Sequence, residues 1–249
     1  MSLYREYPPS AALRPYVECY WSRVSGTAPG VPLTQRVLPD GCIDILFDLG
    51  SRRDTAFVIG PMTRPLMFES AETENMIAVR FRPGGAFAFF DVPMSALTDL
   101  RPEIAHFWKD ATAFEATILE RDSVALQIEA LESALLQRLA GARAIDPRVR
   151  AAVASLRGKS GLTSVDSLSQ ELGITRQHLA RRFQEQVGLT PKMFARITRM
   201  QDVLRRIGNG REVDWCTVAL DSGYYDQAHM IDDFKDLCGT SPARYLASR

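Results

Sequence analysis

The chain has 249 residues, 46% of them hydrophobic and 24% charged, with 30 basic and 30 acidic side chains. That is ordinary globular composition, at a length that suits two modest domains. No run approaches the ~18 apolar residues of a membrane span, and the start Met1-Ser2-Leu3-Tyr4-Arg5-Glu6 lacks the apolar core of a signal peptide. Cys19, Cys42, Cys216 and Cys238 show no CxxC spacing, so a cytoplasmic protein with neither a zinc site nor a disulfide framework is expected.

Residues 1–110 read as a β-rich domain. Residues 17–22 are strand-like, and the turn Leu38-Pro39-Asp40-Gly41-Cys42 leads into residues 43–49. There Ile43, Ile45, Phe47 and Leu49 alternate with Asp44 and Asp48, the pattern of a half-buried strand. Residues 55–60 and 65–69 are short strands split by Gly60-Pro61, and residues 76–81 form another, ended by Arg82-Pro83-Gly84-Gly85. Several short strands with Pro/Gly turns predict a small barrel or sandwich. Residues 86–90 and 94–100 read as helical or irregular.

A small-molecule site in this half would need apolar walls and a few polar anchors. Arg80, Tyr20 and Trp21 are its candidates, although an arginine turned outward for solubility is the commoner explanation. Enzyme chemistry finds little support. His106 is the one histidine outside the C-terminal half, no GxSxG elbow occurs, and Gly158-Lys159-Ser160 lacks the upstream glycine of a phosphate loop. Cys42 follows a turn and is a candidate reactive thiol, with a partly buried strand-start residue as the favoured alternative. No catalytic residue, cofactor or metal is expected.

Residues 111–144 are a helical connector. Val124, Ile128, Leu131, Leu135 and Leu139 recur at spacings of 4, 3, 4 and 4, an amphipathic stripe. It either joins two copies of the chain or packs on the β half of its own chain.

Residues 145–249 contain one pattern twice: Leu168, Gly173, His178, Phe183, Gly188, Pro191, and then Val218, Gly223, His229, Phe234, Gly239, Pro242. A repeat of this kind means two related supersecondary units. Each reads as a short helix, a glycine turn and a longer helix, the helix-turn-helix arrangement. Three further helices open on a cap followed by proline, at Asp146-Pro147, Thr190-Pro191 and Ser241-Pro242. The middle one, over residues 191–207, links the two units.

The run Val213-Asp214-Trp215-Cys216-Thr217-Val218-Ala219-Leu220-Asp221-Ser222-Gly223-Tyr224-Tyr225, followed by Phe234-Lys235 and Gly239-Thr240-Ser241-Pro242-Ala243-Arg244-Tyr245, resembles the C-terminal signature of AraC/XylS-type transcriptional regulators. The resemblance spans about residues 146–248. It implies an α+β protein with an all-α C-terminal domain, whose two helix-turn-helix motifs place their second helices in successive major-groove segments. More loosely, Leu38-Pro39-Asp40-Gly41-Cys42-Ile43-Asp44 and Phe81-Arg82-Pro83-Gly84-Gly85 resemble N-terminal domains often attached to such regulators. In many of these the domain senses a small molecule or dimerises. Double-stranded DNA is the partner implied. RNA polymerase, a small-molecule effector and a second copy of the chain are further candidates, with activation and repression both open. The alternative is a DNA-binding protein whose N-terminal half only docks a protein partner.

The zero net charge conceals two unequal halves, since residues 146–249 hold 16 basic and 12 acidic side chains, leaving 14 and 18 for the rest. Residues 175–206 concentrate Arg176, Arg181, Arg182, Lys192, Arg196, Arg199, Arg205 and Arg206 against Glu185 and Asp202, a density suited to phosphate contact. The second unit is acidic, with Asp226, Asp232, Asp233 and Asp236 on its longer helix. The first unit is therefore expected to supply most affinity and base readout. Its DNA-contact candidates are Thr175, Arg176, Gln177, Arg181 and Arg182, with Arg181 suited to guanine and Gln177 to adenine. Those of the second unit are Tyr225, Gln227, His229 and Lys235. His178 is read as a packing residue, and Cys216 and Cys238 as small buried hydrophobes.

Overall fold

The computed structural model describes residues 2–26, 33–50, 56–70, 73–208 and 213–247. Thr55, the expected start of one strand, and Arg211, one of the basic residues counted above, lie outside them. The N-terminal half is built on an antiparallel sheet of β1 (Ser2–Tyr7), β2 (Val17–Gly26), β4 (Ile43–Asp48), β5 (Ala56–Ile59) and β7 (Thr73–Phe81), in the order β1-β2-β7-β4-β5. A separate two-stranded sheet pairs β3 (Leu33–Val37) with β6 (Leu66–Ser70). The described strands close no barrel, and the pair lies over one face of the larger sheet.

Alternation decides which side chains go where. Tyr20, Ile43, Ile45, Phe47, Ile77, Val79 and Phe81 point into the main N-terminal core. Leu46, Met76 and Ala78 point the other way, toward Trp21, Ile59 and Phe68. Leu46 is buried as well as its neighbours because both faces of β4 are covered. Sequence alternation found the central strands and missed β1 and β3, the outer strand of the large sheet and one strand of the small pair. An edge strand buries little and shows no clean period, as the exposure of Leu3 and Tyr4 illustrates.

Residues 86–97 form two short 3-10 turns that push Phe87, Phe90, Met94 and Leu97 into the core. The connector is not one helix. It splits into α1 (Ala111–Leu119) and α2 (Val124–Leu139), and the Ser123 hydroxyl caps α2 by accepting from Leu126 N. Ile128, Leu131 and Leu135 of the stripe are buried with Phe114 and Ile118 in the same core. The stripe therefore packs on its own chain.

The C-terminal half contains α3 (Pro147–Gly158), α4 (Val165–Glu171), α5 (Arg176–Val187), α6 (Pro191–Ile207), α7 (Trp215–Asp221), α8 (Gln227–Cys238) and α9 (Pro242–Ala247). The Asp146 carboxylate and Thr190 hydroxyl cap α3 and α6 by accepting from Arg148 N (2.9 Å) and Met193 N (3.1 Å), with proline in the first turn of each. The linking helix α6 buries Phe194, Ile197, Met200, Val203 and Ile207. These side chains join both units in one core.

The two halves touch at several points. Gln201 Nε2 donates to Pro39 O (2.7 Å), Arg157 pairs with Glu18 (3.1 Å) and Thr98 Oγ1 donates to Gly188 O (2.6 Å). Gly41 has φ +79° and lies so close to Phe194 that an added Cβ would sit 2.5 Å from the ring. The turn 38–42 is thus where the β half receives α6. Among the described residues no helix is long and apolar enough to cross a membrane.

Candidate nucleic-acid interface

The first unit pairs α4 with α5 across Gly173, whose φ of +62° makes the turn. Thr175 caps α5, its hydroxyl accepting from His178 N at 3.2 Å. Leu179, Phe183, Gln186 and Val187 form the buried side of α5. Arg176, Gln177 and Arg181 are exposed. Among the described residues Gln177 and Arg181 have no side-chain hydrogen bond or ion pair, so both are available to a ligand. Arg176 pairs with Asp166 at 2.8 Å, but the side chains are 67% and 61% exposed. A pair so open to water contributes little and exchanges easily for a phosphate.

Arg182 corrects the expectation. It donates to Glu185 (2.7 Å) and to Asp146 (3.4 Å) and is partly buried, so it ties α5 to the start of α3 instead of reaching out. The same holds for much of the basic cluster. Arg196 donates to Asp233 (2.5 Å) and Asp236 (3.1 Å), and Arg205 and Arg206 both donate to Asp202. Arg199 lies 5.1 Å from the Tyr224 ring centroid. Of the eight basic residues in 175–206, only Arg181 and Lys192 lack such a partner among the described residues, so charge counting overstated what is free for DNA.

The second unit repeats the geometry. α7 and α8 meet at Gly223 (φ +74°), and Asp226 caps α8 by accepting from His229 N at 2.7 Å. Tyr225 is 87% exposed just before that helix. The His229 ring is edge-on to Tyr224 at 5.4 Å. Gln227 is half-buried and accepts from the Cys216 thiol at 3.3 Å. Lys235 lies 3.5 Å from Asp232, and both are exposed.

The four carboxylates of α8 do different things. Asp226 is the cap, Asp236 shares Arg196, and Asp233, only 6% exposed, accepts from Arg196 and from Tyr224 Oη at 3.2 Å. Asp202 is its counterpart inside α6. It is buried and accepts from Arg205, Arg206 and the hydroxyls of Ser160 and Ser222, which fastens α7 to α6. Sequence reasoning counted Asp202 and Asp233 only as negative charge. For Asp202 the i+3 and i+4 arginines were the legible signal.

Other expectations change as well. Cys238 is buried, but Cys216 is exposed on the outer side of α7. Cys42 is buried, and desolvation raises its thiol well above the ordinary value despite Arg157 nearby, so it is no reactive thiolate. His106 is exposed, within 3.2 Å of Glu103 O. Tyr20 and Trp21 are adjacent on β2 and point to opposite faces, Tyr20 into the main core, so they do not wall one pocket. Arg80 is held by Asp44 (3.0 Å) and Asp40 (3.8 Å).

Residues 168–248 match a helix-turn-helix domain family. The C-terminal region is a helix-turn-helix domain. Such a domain is the DNA-binding unit of transcription regulators. Residues 5–103 match a family described as a domain of unknown function (DUF6597). No curated protein matches the chain. Among solved structures the chain is similar to the C-terminal domain of AraT, a response regulator from Geobacillus stearothermophilus, at 22% identity and a TM-score of 0.40, covering 43% of this chain and 89% of that one. It is similar to the DNA-binding domain of AdpA in complex with a target DNA, at 22% identity and a TM-score of 0.37, covering 41% and 93%. ToxT from Vibrio cholerae is similar at 12% identity and a TM-score of 0.46, covering 92% and 98%. In this domain both turn glycines, both long helices and the linking helix fall where the sequence reading put them.

Proposed function

We propose that this protein is a sequence-specific transcriptional regulator in which α5 supplies most of the DNA readout. The N-terminal domain, residues 1–110 with the connector 111–144, senses a small molecule and acts on the position of that helix. The observation that carries this reading is the state of α5. Its outward side chains Gln177 and Arg181 are free, while its C-terminal end is gripped by the β half. There Gly188 caps α5 at φ +85° and its carbonyl accepts from Thr98 Oγ1, while Pro93 and Ser95 border the depression beside Gln177, Arg181 and Gln184. An α-helix must enter a groove about 12 Å wide to read base edges, and a domain seated beside it restricts that entry. The grip of the β half on α5 therefore couples the two domains. Tyr225, His229 and Lys235 of α8 supply weaker contacts to a second groove segment. Selection of DNA sites with the full chain tests this reading, and it fails if no motif is enriched from a folded, monodisperse preparation with or without Thr98→Val.

A further inference from the structure

The second face of the large sheet is ordered in rows. Trp21, Ala78, Leu46 and Phe57 lie abreast on β2, β7, β4 and β5. Cys19, Arg80, Asp44 and Ile59 form the next row. On the other side come Arg23, Met76 and Asp48. The β3–β6 pair covers this face without filling it, leaving a cavity of about 180 Å³. Trp21, Leu46, Ile59, Leu66, Phe68 and Met76 form its apolar walls.

Charge is matched at both ends. At one end Arg80 and Trp21 Nε1 donate to Asp44, the indole at 3.2 Å. At the other, Glu74 accepts from Ser25 Oγ (2.6 Å) and Gln35 Nε2 (2.8 Å) and pairs with Arg23, which also donates to Gln35. The lining holds three arginines and two carboxylates, and the odd charge is Arg101. Its guanidinium stands 4.1 Å from the Phe57 ring centroid and 5.2 Å from that of Phe68. Among the residues whose side chains are described, which leaves out Glu69, no carboxylate comes within ion-pair distance of it. Arg101 is exposed at the mouth of the cavity, Asp48 acts on it from farther away, and partial desolvation of its guanidinium lowers its pKa. A guanidinium laid on aromatic faces at the edge of an apolar cavity is pre-organised to receive an anion.

We propose that this cavity binds a small aromatic carboxylate, its ring among Trp21, Leu46 and Phe68 and its carboxylate on Arg101. This deepens the effector reading above and rests on it. The matched pairs at Asp44 and Glu74 disfavour a cationic ligand, and an uncharged one gains nothing from Arg101. The site also has a route to DNA. Arg101 is three residues from Thr98, whose hydroxyl holds the carbonyl that ends α5. Asp99 between them has φ +57°, an uncommon conformation for a non-glycine residue, and its carboxylate accepts from Thr63 N (2.7 Å) and Oγ1 (2.5 Å). A ligand drawing on Arg101 pulls on the same short segment that grips the recognition helix.

The test is equilibrium binding by calorimetry and thermal shift on the full chain, using benzoate, phenylacetate and cinnamate, each beside its own carboxamide. At least one carboxylate is expected to bind at least tenfold more tightly than its amide. Arg101→Gln should remove that preference, Arg101→Lys should retain part of it, and Leu66→Phe should weaken both by occupying the cavity. Unliganded melting curves identify any variant that fails to fold, and the lysine variant then carries the comparison. Absence of binding by all three acids, equal binding of acid and amide, or a preference that survives Arg101→Gln overturns the proposal. DNA-site selection is run in parallel. A motif enriched by a protein that binds none of the acids would overturn the ligand alone and leave the regulator reading standing.

Discussion

Asp232 and Asp233 are neighbours on α8, and the fold gives them opposite roles. Asp233 is 6% exposed and accepts from Arg196 at 2.5 Å and Tyr224 at 3.2 Å, while the Asp232 side chain is 79% exposed and faces Lys235. Asp233→Asn keeps the shape and an acceptor for Tyr224 but removes the charge that Arg196 was desolvated to meet. Removing one partner of a buried pair costs about 3–5 kcal/mol. The Arg196 side chain is 23% exposed and keeps Asp236 at 3.1 Å, which lowers the expectation. A loss of about 2–3 kcal/mol follows. At about 2–4 °C per kcal/mol for a chain of this size, melting falls by about 4–12 °C. Asp232→Asn should stay within about 0.5 kcal/mol of the parent. It should also bind DNA more tightly, because it removes a carboxylate beside the phosphates. Calorimetric melting of the two variants decides the matter. Equal melting temperatures for both would refute the division of roles on this helix.

Arg181→Ala should weaken binding to the selected site by about 1–3 kcal/mol, the value of a bidentate base contact, and Gln227→Ala by less. Fluorescence anisotropy measures both, and equal losses would contradict the asymmetry of the two units. Gly188→Ala should loosen the grip of the β half on α5, because φ is +85° and a Cβ there would meet Pro61 Cγ at 2.4 Å and Met94 O at 2.8 Å. Backbone strain alone costs about 1–2 kcal/mol, and amide exchange should rise at the end of α5 and around residues 94–98. At neutral pH a thiol reagent should label Cys216 first, since Cys42 is buried and burial pushes the thiols of Cys19 and Cys238 up to about 11 and about 12. Mass spectrometry of the labelled native protein checks that order. The Asp214 carboxylate caps α7, accepting from Thr217 Oγ1 and the amides of Thr217 and Cys216, and these bonds lower its pKa. Its contribution is present above the ordinary carboxylate range and is lost as pH falls through the lowered value. Asp214→Asn should flatten that part of an acid titration of stability.

The C-terminal half was legible because its signals are local. Asp146 and Thr190 cap helices where a cap was expected, Thr175 and Asp226 cap the two longer helices, and Gly173 and Gly223 turn with positive φ. The buried faces of α5 and α8 follow the 3.6-residue period. What failed was non-local. Period 2 already sets the adjacent Tyr20 and Trp21 on opposite faces, and what stayed hidden was that both faces of the sheet are covered. The break at residues 120–123 lies ahead of the stripe, which begins at Val124, so the stripe gave no sign of it. The largest error was charge. Arg182, Arg196, Arg205 and Arg206 look like a phosphate-binding cluster until their carboxylate partners, distant in sequence or buried, come into view.

The most direct test of the account is DNA-site selection from a random library with the full chain, followed by the salt dependence of binding to the enriched site. The account requires a discrete motif with its strongest positions within one groove segment, and a salt slope that becomes shallower in Arg181→Ala. Equal information in two groove segments would contradict the dominance of α5, and no motif from a folded protein would contradict sequence-specific binding itself.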